Sequence, residues 1–304
     1  MTDRRSVSIP ADLSGERADK IVAVLAGVSR QTARQMIESE ANVSVDGRPV
    51  AADQRVDGGV LDFPILPAEA GLVPEKVAFT VVFADDDLVV VDKPAGVVVH
   101  PGAGQSGGTL AAGLLARFPE IEGVGQPGRW GLIHRLDKET SGLLLVARNR
   151  ASYERLVADL AARRIKRQYL ALVHGEMAMP TGSIDAPIGR DPTNPTRQRI
   201  ASDGRPARTH YRLVGTAAGL SLLELTLETG RTHQIRVHLA AIDHPVVGDR
   251  TYSRKPDPFS IRRQFLHARK LELLHPVTGQ GLAFEAPLPP VLAGILQRIG
   301  ILQT

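Results

Sequence analysis

Short apolar runs with the length of β-strands dominate the hydrophobic pattern after residue 77, and several follow one another without a helix between them. These runs cover residues 79–83, 88–92, 142–147, 168–174, 210–214 and 222–227. Helical periodicity occurs at residues 109–118, 151–163, 232–242 and 290–299. Because the strands outnumber the helices, the pattern predicts an α+β fold with a large mixed or antiparallel sheet.

The first 64 residues have a different pattern. Residues 17–25 and 30–38 are predicted helices, and residues 43–45 and 60–63 are predicted strands. The Asp46-Gly47 pair, which follows a short apolar run, predicts a β-hairpin. Residues 65–76 contain Pro, Gly and scattered charge without periodicity, as is typical of a linker. We therefore predict a small domain at 1–64, a linker at 65–76 and a large domain at 77–304.

Composition excludes several classes of protein. The chain of 304 residues has 43% hydrophobic residues, which is enough for an ordinary packed core. It has no cysteine, which excludes disulfides and thiolate-bound zinc or iron–sulfur sites. We find no His and carboxylate cluster at ligand spacing, and we predict no metal. The longest apolar stretch, residues 21–28, is far shorter than the ~20 residues of a membrane span, so we expect a cytoplasmic protein with no membrane partner.

A mild excess of positive charge favours a polyanionic partner. Lys and Arg number 37 against 33 acidic residues, for a net charge of +4. The basic residues form three clusters: Arg163, Arg164, Lys166 and Arg167; Arg197, Arg199, Arg205, Arg208 and Arg212; and Arg254, Lys255, Arg262 and Arg263. Such clusters either neutralise phosphates or form an ordinary solvated face, and the sequence leaves both readings open.

The stretch GLIHRLDKETSGLLLV, residues 131–146, sets Asp137 between a basic pair and a tight turn that leads into an apolar strand. A carboxylate at the edge of a buried strand is costly to desolvate unless a cation or hydrogen-bond donors hold it, and such sites are often functional. The alternative is a turn-capping Asp, since Asp before Thr-Ser-Gly is ordinary turn chemistry.

Four ordered segments resemble the motifs of the RluA-type RNA pseudouridine synthases. HRLDKETSGLLL resembles the catalytic motif, in which the Asp is essential. LVVVDKPAGVVVHPGAG at 88–104 resembles the opening strand and loop, RQYLALVHG at 167–175 the Tyr-containing strand, and GRTHQIRVHLAAIDHPVVGDRTY at 230–252 the Arg-bearing motif. The resemblance spans residues 77–287. It implies a bent central sheet with flanking helices and an active-site cleft, and an isomerase that needs no cofactor.

The first domain resembles the ribosomal-protein-S-four-type RNA-binding domain, in which two helices and a hairpin present basic residues to structured RNA. The residues that this resemblance proposes as RNA contacts are Arg17, Lys20, Arg30, Arg34 and Arg48. Glu16, Asp19, Glu38, Glu40 and Asp46 balance these charges within the same segment, so binding would require a one-sided arrangement. A plain helical packing module is the alternative.

Three residues are expected to carry the chemistry. An ionised Asp137 suits the reaction at neutral pH, because the ordinary pKa of an Asp carboxyl is ~3.9. In the resembling family the Arg at the position of Arg236 pairs with the catalytic Asp; the alternative is a snorkelling surface Arg. Tyr169 would stack beside the uracil and help to remove the proton from carbon 5, although a free phenol, with pKa ~10, is a weak base at neutral pH. From its strand alone, Tyr169 would be a core aromatic residue.

The target uridine must be extruded from its stem before it can react. The family resemblance makes Arg135 the side chain that enters the vacated stack. His134 is expected to support the loop by hydrogen bonds, with proton transfer as the alternative. Lys166, in the first basic cluster, is a further candidate RNA contact. The loop Lys93-Pro94-Ala95-Gly96, which precedes His100-Pro101-Gly102, is interpreted as scaffold near the cleft.

These observations predict a monomeric RNA pseudouridine synthase acting on large-subunit ribosomal RNA, with transfer RNA as an alternative substrate. The rival from another class is a non-catalytic RNA-binding or ribosome-assembly factor on the same fold. An Asp-dependent hydrolase ranks third, because no second carboxylate completes a pair. Asp137 could attack the anomeric carbon, add to the pyrimidine ring or abstract a ribose proton, and the sequence does not choose among these routes.

Overall fold

The computed structural model describes residues 4–28, 30–39, 43–65, 72–102, 105, 107–126, 128–194 and 196–301. The chain divides into two compact units, Met1–Leu72 and Val73–Thr304. Half of the predicted linker at 65–76, namely residues 66–71, lies outside the described residues, as do Ala103 and Gly104 of the predicted scaffold loop. No helix in the described part of the chain is long and apolar enough to cross a membrane.

The first unit combines two helices with short strands. Its elements are β1 (Arg4–Ser8), β2 (Glu16–Arg17), α1 (Ala18–Ala26), α2 (Arg30–Glu38), β3 (Ser44–Val45), β4 (Arg48–Pro49), β5 (Arg55–Val56) and β6 (Val60–Pro64). One sheet has the order β1-β6-β3-β4, and β2 pairs with β5. Ile21 and Val22 of α1 pack with Leu61 and Phe63 of β6 in a core that belongs to this unit. Both predicted helices are confirmed within one residue.

The predicted hairpin at Asp46-Gly47 is also confirmed. Strands β3 and β4 pair antiparallel, with Val45 opposite Arg48. Asp46 and Gly47 both have positive φ, at 49° and 78°, as a two-residue turn of this kind requires.

The second unit is built on a nine-stranded mixed sheet with the order β11-β14-β15-β10-β16-β9-β8-β7, in which β17 also pairs with β16. Its strands are β7 (Thr80–Ala84), β8 (Leu88–Lys93), β9 (Ser141–Ala147), β10 (Lys166–His174), β11 (Thr181–Asp185), β12 (Ile188–Arg190), β13 (Gln198–Ile200), β14 (Arg208–Ala217), β15 (Leu220–Leu227), β16 (Leu266–Leu274) and β17 (Gly281–Glu285). Its helices are α3 (Leu110–Arg117), α4 (Arg150–Ala161), α5 (Gln234–Ala241) and α6 (Pro290–Arg298). Strands β12 and β13 form a separate two-stranded sheet.

The centre of the large sheet positions the cleft. All seven residues of β9 are buried, and Leu143 and Leu145 pack with Leu156 of α4 in the core. Strands β9 and β16 run parallel, with Ser141 opposite His267, whereas the other pairs in this sheet are antiparallel. The predicted large mixed sheet is therefore confirmed. This sheet places the loop before β9 in the same region as β10.

The four helices predicted in this unit are confirmed, with one informative difference. Helix α5 begins at Gln234, although the pattern predicts a start at residue 232. His233 has φ of 57°, which is left-handed rather than helical, so the chain turns sharply there before the helix begins. This turn directs the His233 side chain to the site described below.

Candidate active site

Asp137 lies in the loop that leads into β9. The backbone N–H of Thr140 donates to the Asp137 carbonyl at 3.1 Å and closes the predicted turn. The fully buried Lys93 donates to the carbonyls of Pro94, Val97 and Lys138 at 2.9, 2.9 and 3.1 Å, so it ties its own loop to the residue after Asp137. The carboxylate itself is 16% exposed. The loop that carries Asp137 is therefore held in place by backbone contacts, while the Asp137 carboxylate remains partly exposed.

Arg236 contacts two carboxylates at once. Its Nη1 donates to Oδ2 of Asp137 at 3.0 Å, while Nε and Nη2 donate to the two oxygens of Asp249 at 2.7 and 2.9 Å. Burial alone would lower the pKa of Arg236, but the hydrogen bonds and charges of Asp249 and Asp137 raise it above its ordinary value. The guanidinium therefore remains charged. The alternative of a snorkelling Arg236 is wrong, because the side chain is only 7% exposed.

Asp249 is the member of this group that the sequence reasoning missed. Its side chain is fully buried, and it also accepts the backbone N–H groups of Thr251 and Tyr252 at 2.9 and 3.1 Å. The bidentate contact fixes the plane of the Arg236 guanidinium. Asp249 is thus a second anion that anchors the buried Arg236, and Gly248-Asp249 at the end of the apolar run in the Arg-bearing motif was the available signal.

His233 approaches the other oxygen of Asp137. Its Nε2 lies 4.0 Å from Oδ1 of Asp137, and its Nδ1 lies 2.8 Å from the Tyr252 hydroxyl. That hydroxyl oxygen also accepts the Gln198 backbone N–H at 2.9 Å, which leaves its own proton free to be donated to Nδ1. Burial lowers the pKa of His233 although Asp137 opposes the shift. In the neutral ring the negative charge of Asp137 favours the tautomer with its proton on Nε2, and Tyr252 then donates to Nδ1. Sequence reasoning had not singled out His233 or Tyr252.

Beside these groups lies a cleft of about 570 Å³. Asp137, Arg236 and Tyr169 all line it, so the structure brings together the three residues predicted to carry the chemistry. Tyr169 is 4% exposed, and its hydroxyl has no hydrogen-bond partner among the described residues. Burial raises the pKa of Tyr169, so the hydroxyl stays protonated and its phenolate form is harder to reach at neutral pH.

The two basic residues before Asp137 have different environments. Arg135 is exposed and lines both this cleft and an adjoining depression of about 430 Å³, which also contacts Asp137 and Arg236. His134 accepts the Leu145 backbone N–H through Nε2 at 3.2 Å. Burial, with help from the charge of Arg167, lowers the pKa of His134 to about 3. His134 is thus neutral and holds the loop, while Arg135 is free at the surface.

The basic residues predicted to bind RNA elsewhere are mostly paired with acids. In the first unit, Arg17 and Arg30 contact Asp19 at 3.0 and 2.7 Å. Lys20 pairs with Glu16 and Arg34 with Glu38, both at 2.6 Å. Arg48 is exposed and has no ion pair with any described residue. On β10, Lys166 lies 3.4 Å from Glu272 of the neighbouring strand. These contacts leave Arg48 as the least constrained of the set.

One group within the described part of the chain has metal-like spacing, formed by Asp85, Asp87 and His275. The backbone N–H groups of Val277 and Thr278 donate to Nδ1 of His275 at 3.2 and 3.1 Å. The neutral ring must then carry its proton on Nε2, which lies 3.0 Å from Asp85. A metal ion would need the lone pair on Nε2 and a proton on Nδ1, so this arrangement favours a hydrogen-bond network.

Comparison with known proteins gives a consistent result. Residues 87–241 match the family described as RNA pseudouridylate synthase. An uncharacterized RNA pseudouridine synthase of Chloroflexus aurantiacus is 45% identical over 98% of this chain and 94% of its own length. Ribosomal large subunit pseudouridine synthase D of Nitrosomonas europaea is 43% identical over 96% of this chain and 87% of its own length.

A solved structure shares the fold over part of this chain. Human RNA Pseudouridylate Synthase Domain Containing 1 superposes with a TM-score of 0.55 and 30% identity, covering 69% of this chain and 83% of the human chain. With the family match and the two relatives, the conclusion is that this chain belongs to the RNA pseudouridylate synthase family and is an isomerase that converts uridine to pseudouridine.

Proposed function

We propose that this enzyme modifies specific uridines of large-subunit ribosomal RNA and that Asp137 is the reacting carboxylate. The substrate class is supported by the Nitrosomonas europaea relative, whose name specifies the ribosomal large subunit. The role of Asp137 is supported above all by its 3.0 Å contact with Arg236 at the edge of a cleft of about 570 Å³. That volume is of the size of a typical small-ligand pocket and accommodates one extruded nucleotide.

The electrostatics of the pair suit the reaction. Pseudouridine formation breaks the bond from ribose to the uracil nitrogen and rejoins the base through carbon 5, with no redox change and no required cofactor. Arg236 keeps a positive charge beside Asp137, and Asp249 prevents the guanidinium from closing over both oxygens of Asp137. One face of the carboxylate is thereby left for substrate. Attack on the anomeric carbon, addition to the ring and abstraction of a ribose proton all begin from this ionised group.

Tyr169 and Arg135 have complementary proposed roles. Tyr169 forms part of the cleft wall with an uncommitted hydroxyl, so it can stack beside the uracil and help to remove the proton from carbon 5 once that hydroxyl is activated. Arg135 is exposed at the junction of the two depressions, where a side chain can fill the gap left by the extruded base. His134 supports the loop that carries both Arg135 and Asp137.

The proposed domain organisation is an RNA-binding domain of the ribosomal-protein-S-four type at 1–64, a linker at 65–76 and a catalytic domain at 77–304. Two helices followed by a hairpin support the assignment of the first domain. Four of its five proposed contact residues are in ion pairs with acids, so RNA binding there would depend on Arg48 and on exchange of those pairs for phosphate. We further propose a cytoplasmic monomer, with no metal ion.

Tritium release tests the activity and the role of Asp137 together. Total RNA is prepared from cells that lack the enzyme and were grown with uracil labelled with tritium at carbon 5. Wild-type enzyme should release tritium to water, whereas Asp137→Asn should release none while binding the same RNA. Absence of release by wild type would reject the proposed activity. Release at an unchanged rate by Asp137→Asn would reject the assigned residue.

The substrate class and the non-catalytic alternative need separate experiments. Pseudouridines are mapped by chemical modification and primer extension on ribosomal and transfer RNA, with and without the gene. Loss of sites only from large-subunit RNA is the expected result, and loss only from transfer RNA would overturn the substrate proposal. If Asp137→Asn restored every defect of a deletion strain, binding rather than isomerisation would be the important function.

A further inference from the structure

Arg167 is a buried cation of the cleft whose side chain has no partner in the described part of the chain. It lies on β10, two residues before Tyr169, and is 6% exposed. Its side chain has no hydrogen bond or ion pair with any described residue, and its Nε is fully buried with nothing to donate to. Its side chain lines the same cleft as Asp137. Arg236, by comparison, is equally buried but donates three hydrogen bonds to two carboxylates.

The acids of the cleft are already committed to other cations. Among the described lining residues the only carboxylates are Asp137 and Glu228. Asp137 is held by Arg236, and Glu228 contacts Arg163 and accepts from His210 at 2.7 Å. No carboxylate among the described lining residues therefore remains for Arg167.

A buried guanidinium without an anion is expensive, because desolvation costs several kcal/mol and an ion pair normally offsets it. The neighbouring part of the cleft leaves room for the Arg167 guanidinium but does not neutralise its charge. A side chain at Gly230 would place its Cβ 3.0 Å from Nη1 of Arg167, so the glycine keeps the guanidinium uncovered. An uncompensated charge in a reaction cleft is explained if the anion that it serves arrives with the substrate.

Depth decides which part of the substrate Arg167 can reach. The RNA backbone must pass outside the cleft, where the exposed Arg135 and Arg163 lie at its lining. Arg167 instead lies within the cleft, beside the buried Tyr169 that is proposed to stack on the base. A uracil extruded into the cleft would reach this depth, whereas its phosphate would stay near the surface.

We propose that Arg167 is a catalytic residue that binds the uracil and stabilises the negative charge of the base when it separates from the ribose. This inference rests on the proposed function. When the bond from the anomeric carbon to N1 breaks, its electron pair remains on N1, and the resulting anion shares its charge with the ring carbonyl oxygens. The base then turns, carbon 5 forms the new bond to the anomeric carbon, carbon 5 loses its proton, and N1 gains one. The atoms and charges of uridine and pseudouridine therefore balance.

The effects of Arg167 on its neighbours agree with this position. Burial raises the pKa of Tyr169, and the charge of Arg167 opposes that rise. Burial, and next the charge of Arg167, lowers the pKa of His134. The positive field thus reaches both side chains that line the cleft next to the proposed base site. Removing one preorganised donor from such a place typically lowers the reaction rate about 10²–10³-fold.

The test compares Arg167→Met with Arg163→Met, an exposed cation at the lining of the same cleft. Single-turnover tritium release from labelled total RNA is measured over a range of enzyme concentrations, which separates the maximal rate from the concentration giving half of that rate. Arg167→Met should lower the maximal rate about 10²-fold with half-saturation changed less than threefold. Arg163→Met should raise the half-saturation concentration and leave the maximal rate unchanged.

Two further measurements separate catalysis from structure. Because Arg167 is unpaired, Arg167→Met should have an unchanged or higher Tm, whereas a structural role predicts a lower one. In Arg167→Ala, methylguanidinium should restore rate above tetramethylammonium at equal ionic strength. A normal maximal rate in Arg167→Met, or lost RNA affinity with a normal rate, overturns the proposal while wild-type turnover still supports the function. If wild type released no tritium, both would fall together.

Discussion

Arg236 and Asp249 form a bidentate ion pair, with hydrogen bonds of 2.7 and 2.9 Å, inside the second unit. Two of the three donor nitrogens of the guanidinium are thereby committed to a residue that does not face the cleft, and only Nη1 is left for Asp137. Asp249 is absent from the lining of both depressions, whereas Arg236 lines both. Asp249 therefore acts on the proposed catalytic carboxylate through Arg236.

Asp249→Ala should lower both stability and the chemical rate. It leaves a buried guanidinium with one partner, and breaking a buried pair in this way costs about 3–5 kcal/mol. Freed from Asp249, Arg236 can turn both its Nη groups onto Asp137 and cover the face that substrate requires. We expect a fall in single-turnover tritium release of about 10-fold or more. Asp249→Asn, which keeps the shape but not the charge, should lie between Ala and wild type; equal rates in all three proteins would contradict the positioning role.

His233 should matter through its Nε2–H. His233→Phe keeps a ring of similar size but removes the donor that faces Asp137, and Tyr252→Phe removes only the hydroxyl that fixes the tautomer. We expect the maximal tritium-release rate to fall about 10-fold in His233→Phe and by a smaller factor in Tyr252→Phe. RNA affinity should change little in either. A larger loss in Tyr252→Phe than in His233→Phe would show that the hydroxyl acts directly and not through the imidazole.

The sequence predicted those parts of the molecule that depend on local pattern. The apolar pattern located α3, α4 and α6 and the core strands β8 to β10, because these segments carry the apolar residues that form the core. Strand β16, LHARKLELL, was not predicted, since four of its nine residues are His, Arg, Lys or Glu and only its pairing with three other strands defines it. Its position depends on contacts distant in sequence, which local periodicity does not report.

The candidate site was predictable only as far as motif resemblance extended. Asp137, Tyr169 and Arg236 were identified in this way, and the cleft brings them together. Asp249 was missed, and Arg167 was named only as a member of a basic cluster and not as a residue of the cleft, for opposite reasons. The role of Asp249 becomes visible only once the orientation of the Arg236 side chain is known. The role of Arg167 is indicated by the lack of partners for its side chain, and a sequence does not show which side chains lack partners.

Gly142→Ala should disrupt the loop that carries Asp137. Gly142 has φ of 114°, and it lies opposite Ala268 where β9 and β16 run parallel. A Cβ at residue 142 would collide with the backbone of Ala268, including its carbonyl oxygen. The strands must then separate, so we expect a loss of at least about 2 kcal/mol in the free energy of unfolding, measured by urea denaturation. Gly281→Ala, at a position with open space, is the control, and similar losses in both variants would contradict this explanation.

His267 should make the folded protein less stable as the pH falls below about 6.5. The ring is fully buried, accepts the Ser141 hydroxyl at 2.9 Å and donates to the Ala286 carbonyl. Burial lowers the pKa of His267 from 6.5 to about 4. Between these values the unfolded chain binds a proton that the folded protein does not, so this residue contributes a slope of up to about 1.4 kcal/mol per pH unit, with stability rising with pH.

The measurement for His267 is urea denaturation at several pH values between 4 and 7. His267→Gln cannot titrate, so its stability should change less steeply with pH than that of wild type, whatever its absolute stability. The comparison is needed because other buried histidines, such as His134, add slopes of the same sign. Parallel curves for the two proteins would mean that His267 is already protonated in the folded state or does not control this pH range.

The first unit should contribute RNA affinity rather than chemistry. It has a hydrophobic core of its own, so removal of residues 1–64 should leave the second unit folded, which circular dichroism can verify. The truncated enzyme should bind RNA more weakly and with a smaller salt dependence, yet retain most of the maximal single-turnover rate.

Within the full chain, Arg48→Ala should reduce the slope of log affinity against log salt by about 1, as expected for one lost phosphate contact. Arg34→Ala, whose cation pairs with Glu38, should reduce it less, because this side chain already has an anion. Unchanged affinity in both the truncation and Arg48→Ala would assign this unit a role other than RNA binding.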